Sequence, residues 1–298
     1  MWPDGLVTPV VLSDTGVHLS TGTDPRSATG WRRLATPQTP LARDVALSVA
    51  AAAGHVTWSD EDGLHVVRLS RGDPRQPGAV ELDSGRRVRV PGDETGGVRF
   101  PVTALSAQDG TLDLIWTADR HHLTRATERP GFPPEDPAAL PRCCAPGERL
   151  RALDLAVESG QTAWLACATD RGRLLVARWD LRYDVHAPWQ PVRLPVPAAD
   201  MVAIVYASNQ PTIILATRAG AIRACDARSA AEDGLVDWKT VRPPGPLRGR
   251  RLQALAAADD DGAAWLAAAS GSRTWYARLY YEGGRAWCDE ESGVVIGD

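Results

Sequence analysis

Six histidines, a scatter of turn carboxylates and a recurrent arginine are the side chains of this chain able to move protons, hold a metal or grip an anion. A zinc site needs converging ligands at short spacing, and no H-x3-H, C-x2-C or H-E-x-x-H arrangement occurs. His121 and His122 are adjacent, so on a strand they would face opposite sides of the sheet. A calcium loop of the D-x-D-x-D-G type is also missing. No metal is expected. Neither a G-x-S-x-G nucleophile turn, a phosphate-cradling G-x-x-x-x-G-K nor a dinucleotide-binding G-x-G-x-x-G is present, and no cofactor is expected. What is left is a distributed set: His18, Asp62, His65, Asp119 and His121 near turns, and Arg178 as a donor to anions or sugar hydroxyls. Residues so far apart in sequence can act together only if a repeating scaffold brings their turns to one place.

Composition narrows what that scaffold serves. The 298 residues are 44% hydrophobic and 23% charged, enough apolar content to bury a large core. A net charge of −4 gives no global cationic field, which speaks against nucleic acid as a partner. All but one of the 33 basic residues are arginine, Lys239 being the exception; with abundant Ala, Gly and Pro this reads as GC-rich coding. Cys143, Cys144, Cys167, Cys225 and Cys288 are odd in number and irregularly placed, so reduced thiols are expected. No apolar run approaches the ~20 residues that span a bilayer, and no membrane association is expected. Met1-Trp2-Pro3-Asp4-Gly5 does not open like a secretory leader. A cytoplasmic protein is the expectation.

The scaffold is written as a repeat. Ala46-Leu47, Trp58 and Arg68 recur as Ala104-Leu105, Trp116 and Arg125; as Ala152-Leu153, Trp164 and Arg178; as Ala203-Ile204, Ile214 and Arg223; and as Ala254-Leu255, Trp265 and Arg278. The steps between successive alanines are 58, 48, 51 and 51 residues. Within each unit short apolar runs are broken by Gly, Asp, Asn and Pro, the grammar of strands and hairpins. A further strand is predicted at Trp31-Leu34, Trp189-Leu194, Trp238-Val241 and Trp287-Cys288, where nearby Pro suits an outer edge.

Four strands per unit of ~50 residues predict an all-β, six-bladed β-propeller of four-stranded antiparallel blades, near 6–37, 41–90, 98–142, 150–195, 200–243 and 251–290. The whole chain, 1–298, is expected to be a single domain. Val294-Val295-Ile296 is expected to close the ring as the innermost strand beside Leu6 to Ser13, so that the chain termini hide each other's edges. Ala46 to Ala53 and Ala263 to Ser270 have helix propensity but recur in phase with turns and are too short for independent helices.

The recurrence of Trp on second strands and Arg on third strands resembles six-bladed propellers of the fucose-lectin-like group. That resemblance implies carbohydrate binding in pockets between blades. The residues themselves favour another use: middle-strand indoles fill the wedge between blades, and most of the arginines face solvent. The function expected is a non-catalytic interaction module, a rigid disc whose rim loops, above all the Pro-rich 128–149 segment, recognise a protein partner. Two alternatives stand beside it: a lectin-like carbohydrate binder, and an enzyme whose site lies at the mouth of the central channel, where His18, His65, Asp62, Asp119 and His121 would meet.

Overall fold

The computed structural model describes residues 10–13, 16–20, 31–33, 44–49, 53–60, 63–71, 80–82, 86–88, 102–106, 111–117, 121–129, 131, 135–158, 162–196, 199–207, 210–233, 236–242, 249–260, 263–271, 273–282, 285–288 and 294–296. They form two compact units, 1–142 and 143–298. Every sheet is antiparallel, as the hairpin grammar requires.

In the first unit, one sheet comprises β1 (Val10–Ser13), β2 (Gly16–Ser20) and β3 (Trp31–Arg33). The next holds β4 (Asp44–Val49), β5 (Ala53–Asp60), β6 (Gly63–Arg71), β7 (Val80–Leu82) and β8 (Arg86–Val88). A third holds β9 (Val102–Ser106), β10 (Leu112–Thr117), β11 (Leu123–Glu128) and β12 (Ala138–Ala139). The first strands pack side by side, β1 on β4 and β4 on β9. The second and third sheets meet face to face through Leu64 and Val66 against Leu112, Leu114, Trp116 and Ala126.

In the second unit, one sheet contains β13 (Leu150–Glu158), β14 (Thr162–Thr169), β15 (Leu174–Asp180), β16 (Val185–His186) and β17 (Gln190–Val192). The next contains β18 (Met201–Ala207), β19 (Gln210–Ala216), β20 (Ile222–Asp226) and, after helix α1 (Ala227–Asp233), β21 (Lys239–Val241). The last contains β22 (Ala254–Asp260), β23 (Ala263–Ser270), β24 (Arg273–Glu282), β25 (Arg285–Cys288) and β26 (Val294–Ile296). First strands again lie side by side, β13 on β18 and β18 on β22, and small residues such as Ala156 and Ala203 permit that approach. Trp164, Leu174 and Val176 pack on Ile204, Ile213 and Leu215 of the next sheet; Ile214 and Ile222 pack on Leu266, Trp275 and Leu279 of the last. At ~25 cal/mol per Å2 of apolar surface, these interlocking faces dominate the stability.

Two hairpins of this unit share one turn. Thr169 and Thr217 each accept, at the carbonyl, the N–H of the glycine three residues on (3.0 Å to Gly172, 2.9 Å to Gly220). The same threonine hydroxyls accept the N–H of Arg173 and Ala221, both at 3.2 Å. The closing glycines sit at φ +74° and +89°, a region that side chains with a Cβ enter only under strain.

Outer edges depart from a simple four-strand plan. β6, β15 and β24 are 9, 7 and 10 residues long, and each takes two short partners rather than one. Thus β15 pairs with β16 at Trp179 and Asp180 and with β17 at Leu174 to Val176. The expected role of the C-terminal strand is corrected here. Val294–Ile296 pairs with Thr274–Tyr276 of β24 in its own sheet, whereas β1 pairs with β2. The reason is an unmet edge: β25 covers only Leu279–Glu282, leaving the start of β24 to be completed by β26. The outer strands expected after Trp31, Trp189, Trp238 and Trp287 correspond to β3, β17, β21 and β25. Helix α1 was not legible as an element; Asp226 caps it by accepting the Arg228 N–H at 2.9 Å, and Ala227 and Ala230 bury against the core. Among the described residues, no helix is long and apolar enough to cross a membrane.

Candidate functional site

Register decides what the recurrent residues do. Trp164 lies opposite Arg178, and Trp265 opposite Arg278, whose guanidinium stands 5.5 Å over the indole. In the earlier sheets the same level is filled differently. Trp58 faces His65, and Trp116 faces Thr124; Arg68 pairs instead with His55, and Arg125 with Ile115. The arginine repeat is therefore not one repeated donor. Trp58, Trp116 and Trp164 are buried, so their rings cannot serve as sugar platforms.

His65 is 4% exposed and stacks on Trp58 with ring centroids 5.1 Å apart and an 8° tilt. Its ring belongs to the packing. His18 is half-buried on β2, opposite Val11 and Arg33, and His121 is half-buried just ahead of β11. His18 and His65 thus lie on two different sheets, and His121 precedes a strand of a third. Asp62 and Asp119 fall outside the described residues. Arg178 is exposed on β15. His65→Ala is expected to cost about 1–2 kcal/mol in urea unfolding, and Arg178→Ala less than about 0.5 kcal/mol, because only the first removes a buried ring stack.

Sequence reasoning missed a buried carboxylate with both oxygens bonded. Glu148 is 0% exposed, in the segment that leads into β13. Its Oε1 accepts from the Thr169 hydroxyl (2.6 Å) and Arg173 Nε (2.7 Å). Its Oε2 accepts from Ala145 N–H (3.0 Å) and from Arg173 Nη2. The Arg173 guanidinium holds this carboxyl well below its usual range, at about 2, against the opposing effect of burial; Thr169 and Ala145 add to the depression. Beside it, Cys143 and Cys144 place their sulfurs 3.9 Å apart. The hydrogen bond it shares with Cys143, together with burial, pushes the Cys144 thiol up, so it is no ready nucleophile. Among the described residues, no group of three or more His, Cys, Asp or Glu is placed to hold a metal.

Asp154 sits where two first strands meet. One oxygen accepts the Leu155 N–H and the other the Ile204 N–H, both at 2.9 Å, which ties β13 to β18. At the start of those strands Asp200 accepts the Arg218 N–H at 3.0 Å and lies 3.7 Å from Arg151 and 3.8 Å from the Arg218 side chain. Backbone bonds hold these starting segments to the turns of the preceding sheets: Ala199 N–H to Gly172 O (3.0 Å) and Leu252 N–H to Arg218 O (3.1 Å). One end of the unit is thereby rigid, and it carries Arg149, Arg151, Arg171, Arg218, Arg250 and Arg251, all exposed. The sequence did hold a signal for this face: arginines cluster just before alanine-bearing first strands and in the turns after second strands.

No family model and no curated protein matches the sequence. Solved structures do resemble it. An exo-β-1,3-galactanase from Phanerochaete chrysosporium, in a complex with β-1,3-galactotriose, matches at 14% identity with a TM-score of 0.58, over 97% of this chain and 71% of that one. An exo-1,5-α-L-arabinanase from a bovine ruminal metagenomic library matches at 12% identity with a TM-score of 0.50, over 89% of this chain and 100% of that one. The class these likenesses define is the β-propeller, and at such identities they speak to fold. They lead away from the fucose-lectin-like group. They also overturn the expectation of a non-catalytic protein-binding module, since the two structures just described are glycoside hydrolases. Within the 128–149 segment Cys143, Cys144 and Glu148 turn inward and are buried, while most of the other described residues are exposed.

Proposed function

We propose that this chain is a carbohydrate-active enzyme that cleaves glycosidic bonds, with its six sheets acting as the blades of one propeller over residues 1–298. The observation that carries the reading is the likeness of fold to exo-β-1,3-galactanases, which extends over 94–97% of the chain. The regular arrangement of first strands in each unit supports it, because propellers gather single residues from several such strands. Hydrolysis of a glycoside uses a pair of carboxyl groups on opposite sides of the scissile bond. Asp154, with both oxygens accepting backbone N–H groups, is a positioning residue in this scheme: it fixes the spacing of β13 and β18. The test is sugar release from β-1,3-galactan, 1,5-α-arabinan and a panel of acidic polysaccharides, followed by chromatography. Release of mono- or oligosaccharide from at least one is the expected result. Neither release nor binding with any of them would overturn the reading.

A further inference from the structure

From the charge on the rigid end of the 143–298 unit we infer that the carbohydrate recognised is anionic, a uronate-bearing polysaccharide gripped by the arginines there. This rests on the carbohydrate reading above and adds the substrate class. Arg149, Arg151, Arg171, Arg218, Arg250 and Arg251 are exposed at this end, against the carboxylates Asp170 and Asp200; Arg173 is already neutralised by Glu148. The opposite end is of mixed sign: Glu158 is ion-paired with Arg228, and Asp180 and Asp226 end their strands where Arg182 and Arg285 are exposed. An overall charge of −4 thus hides a locally basic end.

The basic end is also preorganised for a carboxylate. Arg151 and Arg218 already flank one, Asp200, from two sheets at 3.7 and 3.8 Å, distances that leave their guanidinium forks open to tighter pairing. Backbone bonds fix the segments that bear them: Asp170 N–H to Arg149 O at 2.8 Å, Leu252 N–H to Arg218 O at 3.1 Å. A guanidinium fork matches a carboxylate plane, and the backbone that bears these arginines is already fixed before binding. Nucleic acid is the other common polyanion. Its single strands call for aromatic platforms, and among the described residues the exposed large apolar side chains, Tyr183, Val185 and Trp287, stand in the β15–β16 hairpin and on the outer strand β25.

The test is binding to polygalacturonate at low ionic strength, with β-1,3-galactan and a single-stranded oligonucleotide as comparators. The expected result is salt-sensitive binding of polygalacturonate, weakened roughly tenfold in Arg218→Ala/Arg251→Ala. Arg182→Ala/Arg285→Ala, which removes the same charge from elsewhere, should stay within about twofold. Equal loss in both double variants would overturn the inference. If neutral galactan is cleaved or bound while polygalacturonate is not, the anionic substrate falls and the carbohydrate reading stands. If the oligonucleotide binds more tightly through the same arginines, the anion-binding face is real but its ligand is not a uronate, and the inference falls while the carbohydrate reading is judged by sugar release alone.

Discussion

Replacing Glu148 by Gln is expected to destabilise the 143–298 unit by about 3 kcal/mol at neutral pH, measured by urea denaturation followed through tryptophan fluorescence. The carboxylate is fully buried and takes four donors, two of them from Arg173. An amide of the same size can accept at one atom only, which leaves Arg173 and either Thr169 or Ala145 badly served. The pH dependence carries a sign of its own. Glu148 titrates at about 2 in the folded protein, below the ordinary 4.5 it regains on unfolding. Its contribution is therefore complete above about pH 4.5 and fades as the pH falls toward 2, because the unfolded chain takes up the proton first. The gap between the native protein and the Gln variant should narrow over that window. A gap that stays constant down to pH 2 would show that the carboxylate's charge is not what stabilises the fold.

The second large effect is expected at Gly220. An added Cβ there would lie 2.5 Å from the carbonyl oxygen of Arg250, and the residue sits at φ +89°. Both the backbone conformation and the neighbouring strand lead would have to give, so Gly220→Ala should cost about 3 kcal/mol. Gly271 supplies the comparison. It has a positive φ of +62° but nothing within 4 Å of the same added atom. Gly271→Ala should cost only about 1 kcal/mol, and equal losses at the two sites would refute the steric part of the argument.

Much of the sheet layout could be read from the chain, for a physical reason: each hairpin is specified locally. Asp170-Arg171-Gly172 and Ser270-Gly271 supply turns, the apolar runs between them supply strands, and these limits match β13 to β25 closely. Burial of Trp58, Trp116 and Trp164 was legible because middle strands have no open edge. What the spacing could not convey is register. His65 and Arg178 occupy the same level opposite a tryptophan, yet they stand 7 and 14 residues after it, because the hairpins that carry them differ in length. Glu148 was hidden for a related reason. It reaches Thr169 and Arg173 across 21 and 25 residues, and nothing local marks a loop glutamate as the hub of a buried network. The C-terminal strand was misplaced since β-propensity alone does not say which unpaired edge is nearest.

The divided outer edge of β15 has a bearing on how such a chain can change. β16 and β17 grip it through only two and three rungs, with Pro188 and Trp189 strung between them. An insertion in that interval would shift no residue of β13, β14 or β15 relative to its partners. The periphery is thus free to diversify while the interior keeps its alignment, and new specificities could be added there without refolding the rest.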